Sequence, residues 1–225
     1  MIYVQLTNGF GNNLFQYNAA RLLATYHGQE LTAVPPNSDY YGIEEFKKIG
    51  IPLISTEIPN CEIVNEVNFT HYFNANYKKS NLLVTGYFEN YKFFKNNIDL
   101  IRSWYPEITN HNTSDLVLHL RAGDRLFYAN EYDSKPSGQN YVNAIEQFEF
   151  DKLFIVTDMP EWRPIGTDEL ENMKFHVNVP QENRVTPQQS VDYFNSLVES
   201  LDQFQPIHAK NSVAEDFSFI RGFNN

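Results

Sequence analysis

Residues 2–21 read IYVQLTNGFGNNLFQYNAAR, and their order decides the class of fold. IYVQL at 2–6 is a short apolar run that suits a buried strand. Asn8, Gly9, Gly11, Asn12 and Asn13 make a turn-rich loop after it. From residue 13, NLFQYNAARLLATYHG spaces its apolar side chains along one helical face and stops at Gly28. ELTAV at 30–34 alternates as a second strand, and Pro35 and Pro36 end it, so the chain begins with the βαβ rhythm of an α/β fold. The two glycines let backbone approach a ligand closely, and the helix start favours negative charge. The loop fits neither a P-loop, since no Gly-Lys-Ser/Thr follows, nor a dinucleotide fingerprint, since the third glycine is missing.

Periodicity weakens over residues 39–80, where YYGIEEFKKIGI reads as a short helix and EIVNEVNF as a strand, with NLLVTGYF a further strand beyond. YKFFKNNIDLIRSWY then reads as an amphipathic helix carrying Phe94, Ile98, Ile101 and Trp104 on one side, ended by Pro106. TNHNTS at 109–114 is polar and lacks apolar anchors, which suits a linker. The expected domains are therefore 1–110 and 111–225. In the second, DLVLHLRAGDR at 115–125 is a strand running into a turn. NYVNAIEQFEF reads as a helix, KLFIVTD and MKFHVN as strands, and TPQQSVDYFNSLVESL as a helix capped by Thr186 and Pro187. With QPIHAKNS as a last strand, this is the order of a Rossmann-like nucleotide site.

Residues two apart on a strand share a face, so His119 and Arg121 project together from the C-terminal end of LVLHL, the end where open α/β sheets bind ligands. Gly123 permits a tight turn with exposed amides, and Arg121 offers a fork of donors that grips phosphate oxygens in pairs. Arg121 can equally form an ion pair with Asp124. Asp158, which ends LFIVTD, suits either a ribose or base contact or the cap of a following helix.

The chain has 28 acidic and 17 basic residues, a formal charge of −11 that disfavours nucleic acid and anionic lipid as global partners while leaving room for one basic pocket. Cys61 is the single cysteine, so no intrachain disulfide can form, and a reducing cytoplasm fits. MIYVQLTNG lacks the plan of a signal peptide and no run suits a membrane span, so a cytoplasmic protein is expected. The six histidines are scattered and no Asp-x-Asp occurs, so neither a metal nor another cofactor is expected.

NGFGNNLFQYNAARLLA resembles the opening signature of the α-1,2-fucosyltransferases, and HLRAGD resembles that family's His-x-Arg-x-Gly-Asp motif. TGYFENYKFFKNNIDLIRSWY, between them, is similar to the family's Gly-Tyr…Phe stretch. Two motifs in order are far more specific than either alone. The resemblance implies a GT-B-like enzyme, two Rossmann-like α/β domains facing a cleft, with an acceptor-side domain at 1–110 and a GDP-sugar-binding domain at 111–225. The implied reaction is metal-independent inverting transfer of L-fucose from GDP-fucose to a glycan hydroxyl, in α-1,2 linkage and to galactose. Its partners are thus a nucleotide sugar and a glycan acceptor.

Carried over by position, the resemblance implies that Arg121 meets the β-phosphate with His119 and Gly123 beside it, and that Gly9, Gly11 and Asn12 face the diphosphate or fucose. It adds Asp158, and through NSVAEDFSFI it adds Ser212 and Ser218 on the donor side. Asp124, Glu89 and Glu131 are candidates for the base, with Asp124 preferred. The chain departs from the family pattern at Asn8, at Ala122 where a second arginine is common, and at Phe219 where tryptophan is usual. Two further readings stay open: a transferase of the same fold using another GDP-sugar, and a non-catalytic nucleotide- or glycan-binding relative.

Overall fold

The computed structural model describes residues 1–7, 9–37, 40, 42–74, 80–106, 114–128, 135–173, 175 and 180–223. The chain is mixed α/β, built on two wholly parallel sheets. It divides into two compact units, the first comprising Met1–Glu107 with Ser212–Ala214 and the second Ile108–Asn211 with Glu215–Asn225. The expected boundary at 110/111, and the linker at 109–114 except for Ser114, lie outside the described residues.

In the first unit β1 (Ile2–Gln5), β2 (Leu31–Val34), β3 (Glu62–Val64) and β4 (Leu82–Val84) lie in the order β2-β1-β4-β3. Ile2 pairs with Leu31 on one side and Leu82 on the other, and Val4 with Ala33 and Val84. Ile2, Val4, Leu82 and Val84 are fully buried, as central parallel strands covered on both faces must be. Helix α1 (Phe10–His27) buries Leu14, Tyr17, Ala20 and Leu23, then stops at Gly28, whose left-handed φ of 59° lets Gln29 N–H bond back to Ala24 O at 2.9 Å. The helix begins three residues earlier than the apolar pattern suggests. Gly9 is its N-cap, so Gly11 and Asn12 sit in its first turn and not in a loop.

Short helices α2 (Ile43–Lys48) and α3 (Phe69–Asn74) follow. The expected single helix over YKFFKNNIDLIRSWY is instead two 3₁₀ turns, Tyr91–Phe93 and Lys95–Asn97, and then α4 (Ile98–Arg102). Asn90 caps the first turn by accepting Lys92 N–H, a local bond that favours a turn over a continuous helix. Phe94 is nonetheless buried, against Phe15 of α1.

The second unit places β5 (Leu116–Leu120), β6 (Leu153–Thr157) and β7 (Ile207–Ala209) in the order β5-β6-β7. Helix α5 (Gly138–Ile145) connects the first two, and α6 (Thr167–Asn172) and α7 (Pro187–Leu201) lie between the last two. Ser137 caps α5 and Thr186 caps α7, each through a reciprocal capping box, with Pro187 opening α7 where its missing N–H costs nothing. The strand expected over MKFHVN falls largely on residues outside those described. One core gathers Leu116, Leu120, Val142, Ile145, Leu153, Ile155 and Leu201, and another gathers Leu126, Met159, Leu170, Val191 and Phe194. Helix α8 (Val213–Arg221) brings Phe219 to Phe154 of β6, ring centroids 5.4 Å apart. Among the described residues no helix is long and apolar enough to cross a membrane.

Because Gly11 lies on a helix with no atom within 4 Å of where a β-carbon would sit, Gly11→Ala should raise the free energy of unfolding by about 0.5–1 kcal/mol, read by urea titration.

Candidate functional site

Strand β5 ends at Leu120, and the four residues that follow make a turn at which Arg121, Gly123, Asp124 and Asp158 meet. Arg121 donates to Asp124 through Nε (to Oδ1, 3.2 Å) and Nη2 (to Oδ2, 3.0 Å), a side-on bidentate pair. The Arg121 side chain is 57% exposed and that of Asp124 17%. The pair spends one edge of the guanidinium and leaves the Nη1/Nη2 edge pointing elsewhere, which is the edge a second oxyanion can take. Burial would lower the Arg121 pKa, but the Asp124 hydrogen bonds and the carboxylates of Asp124 and Asp158 together raise it. Asp124, with both oxygens on a cation and Tyr128 Oη 3.5 Å away, is placed as Arg121's orienting partner.

Asp158 does not cap a helix: the next one begins only at Thr167, with Gly166 as its N-cap. Its Oδ1 accepts the N–H groups of Ala122 and Gly123, each at 2.7 Å. The turn amides expected to be exposed are thus filled by the chain's own carboxylate, which ties the end of β6 to the turn after β5. Gly123 is needed here because a β-carbon on it would lie 2.6 Å from Asp158 Oδ2 and 2.7 Å from the Phe175 ring. Leu126 N–H then bonds back to Ala122 O at 3.0 Å, starting the 3₁₀ turn Asp124–Phe127.

His119 is exposed on β5; burial raises the Asp216 carboxyl on α8, opposed by a hydrogen bond from Asn211 and by His119. Ser218 is half-buried on α8. Ser212 is not with them: it belongs to the first unit, where its hydroxyl accepts from Lys48 Nζ at 3.1 Å. Glu131 lies outside the described residues, and Glu89 is exposed in the first unit.

The predicted first-unit residues stand at the start of α1. Gly9 has φ 77° and ψ 134°, a conformation that side chains resist, and neither Gly9 nor Gly11 has a neighbour within 4 Å of a β-carbon position. Asn12 is half-buried beside them. The order β2-β1-β4-β3 puts the topological switch point between β1 and β4, and this loop leaves β1 at that crevice. The residues that hold the crevice are ones the pattern of glycines does not reveal. Buried Asn13 accepts Thr7 N–H (2.9 Å) and donates to Tyr40 Oη (2.7 Å). Buried Gln16 donates to Gly86 O (2.8 Å) and to Thr7 Oγ1 (3.1 Å), bridging the ends of β1 and β4. The signal for both was present: two polar residues on the helical face that is otherwise apolar.

Across the crevice the chain turns through Gly86 at φ 113° and Phe88 at φ 55°. Glu66 Oε1 accepts the N–H groups of Tyr87 and Phe88 and so holds this strained turn. Burial would raise the Glu66 carboxyl, but those backbone donors outweigh it and hold it below its ordinary value.

Among the described residues no group of three or more His, Cys, Asp and Glu side chains could hold a metal ion. Comparison with family models, with curated proteins and with solved structures finds no match for this chain.

Two outcomes follow from this geometry. Gly123→Ala should lower stability by about 1–3 kcal/mol in urea titration, because Asp158 and Phe175 must both move. Glu66 stabilises the fold above the ordinary carboxylate range, and that contribution is lost as pH falls through its depressed folded value. The melting-temperature gap between the wild type and Glu66→Gln should therefore be widest near neutral pH and close on acidification.

Proposed function

We propose that the chain is a GT-B-like inverting glycosyltransferase that moves L-fucose from GDP-fucose to a glycan hydroxyl, forming an α-1,2 bond to galactose. One observation carries the reading: Arg121 stands at the C-terminal end of a parallel strand with its outer guanidinium edge turned away from Asp124. In the reaction the acceptor hydroxyl gives its proton to a carboxylate base, Asp124 being the preferred candidate, as its oxygen attacks the anomeric carbon; the bond to the β-phosphate oxygen breaks, and GDP leaves with the electron pair. Arg121 neutralises the charge that develops on the phosphate, the contribution expected of a preorganised cation at a leaving group. Gly9, Gly11 and Asn12 lie at the start of α1 in the first unit, which favours negative charge.

The filled turn amides favour a second reading, a relative that binds nucleotide without transfer, because Asp158 takes a place that phosphate oxygens otherwise use. A transferase using another GDP-sugar is separated by the same experiment. The protein is incubated with GDP- and UDP-sugars and a galactose-terminated acceptor, and GDP release is followed. GDP-fucose with acceptor should give release, and Arg121→Ala should reduce its rate by about 100-fold or more with the fold intact. Turnover of UDP-sugars alone sinks the proposal; GDP binding that needs Arg121 but yields no transfer establishes the second reading.

A further inference from the structure

Helix α8 belongs to both units. Its first two residues, Val213 and Ala214, are part of the first unit together with Ser212 before them, and the helix from Glu215 onward is part of the second. The excursion into the first unit is thus only the stretch 212–214, and the chain on either side of it is fastened in the second. Asn211 Nδ2 donates to Asp216 Oδ1 at 3.2 Å, closing the base of the excursion. Further along α8, Phe219 packs on Phe154 of β6 and on Phe223, with ring centroids 5.4 and 5.0 Å away.

In the first unit the excursion is held at Glu45 of α2. Glu45 Oε2 accepts Ala214 N–H at 2.8 Å and Oε1 accepts Lys48 Nζ at 2.8 Å, while Lys48 Nζ also donates to the Ser212 hydroxyl at 3.1 Å. Ala214 is 2% exposed and the Glu45 side chain 18%, so water competes weakly for this bond. The N–H of the second residue of a helix has no partner within the helix, and the residue just before the helix ordinarily caps it. Here the cap comes from 169 positions away, as a carboxylate, which the helix start also favours by its charge. Burial would raise the Glu45 carboxyl, but the donors Lys48, Ala214 N–H and Ser212 outweigh it and hold the group below its ordinary value.

We propose that residues 212–214 are a latch: Glu45 caps α8 from α2 and keeps the segment docked on the first unit, and loss of that cap frays the first turn of α8 and frees the segment. The rest of the helix stays in place, because Asn211, Phe154 and Phe223 hold it in the second unit. The latch therefore sets where the helix that carries Asp216 and Ser218 begins. A cap changes the balance between a formed and a frayed helix end by about 2- to 30-fold, enough for a local opening without general unfolding. The latch stands apart from the reaction proposed above and holds whatever the chain binds.

The test is amide hydrogen exchange of the full chain, read residue by residue. The informative amides are that of Ala214, which Glu45 holds, and those of Phe217 and Ser218, which helix geometry directs back to the carbonyls of Val213 and Ala214. Glu45→Ala should speed exchange at these three positions by about 2- to 30-fold and leave the amides of β1 and β6 unchanged. Glu45→Gln, which keeps an acceptor for Ala214 N–H but loses the charge, should give a smaller rise at the same positions. Unchanged exchange at the three amides in Glu45→Ala overturns the latch, as does an equal rise in β1 and β6, which would mean that Glu45 supports the whole fold and not a local opening. Where Glu45→Ala does not fold, Glu45→Gln decides: a rise confined to the three amides supports the latch, and wild-type exchange overturns it.

Discussion

A parallel strand cannot turn directly into its neighbour; the chain must cross back over a face of the sheet before the next strand begins. Both sheets here are parallel throughout, so in each unit the turns that leave the C-terminal ends of the strands collect along one edge. The Gly9 start of α1 and the Gly86 turn share such an edge in the first unit. In the second, the Arg121 turn and Asp158 share another. The faces of both sheets are taken up by helices and aromatic rings, and these edges are where backbone and polar side chains come together.

The edges are held by side chains that spend their hydrogen-bonding capacity on backbone. Gln16 joins the ends of β1 and β4, Glu66 holds two amides after β4, and Asp158 holds two amides after β5. A buried amide without a partner costs free energy on the scale of a lost hydrogen bond, so each such side chain settles a strand end that the ladder itself leaves open. The second unit also concentrates negative charge around Arg121, with Asp124 on its inner edge and Asp158 close by. An oxyanion arriving there takes the outer guanidinium edge against the repulsion of those carboxylates.

Much of this framework is legible in the residues alone. LVLHL and LFIVT are continuous apolar runs, and the structure makes them β5 and β6; Thr186-Pro187 marks the start of α7 through a cap whose chemistry is local. Local rules fail where a bond across the sequence decides. Whether Asp158 caps a helix or bonds the turn after β5 depends on a partner some 36 positions away, and no periodicity encodes that pairing. The helix expected around residues 91–105 breaks into turns because Asn90 captures a backbone amide there. The cavity lined by Phe127, Phe175 and Arg184 was hidden for the same reason, since these residues come together only through the folded chain.

The bond pair at Asp158 has a consequence for the thermodynamics of recognition. A loop that must be ordered by its ligand charges that loss of entropy to every binding event. The turn carrying Arg121 is already ordered, because Asp158 occupies both of its amides before anything arrives. The cost of fixing the turn is met once, when the chain folds, and an incoming anion meets a backbone whose shape is set.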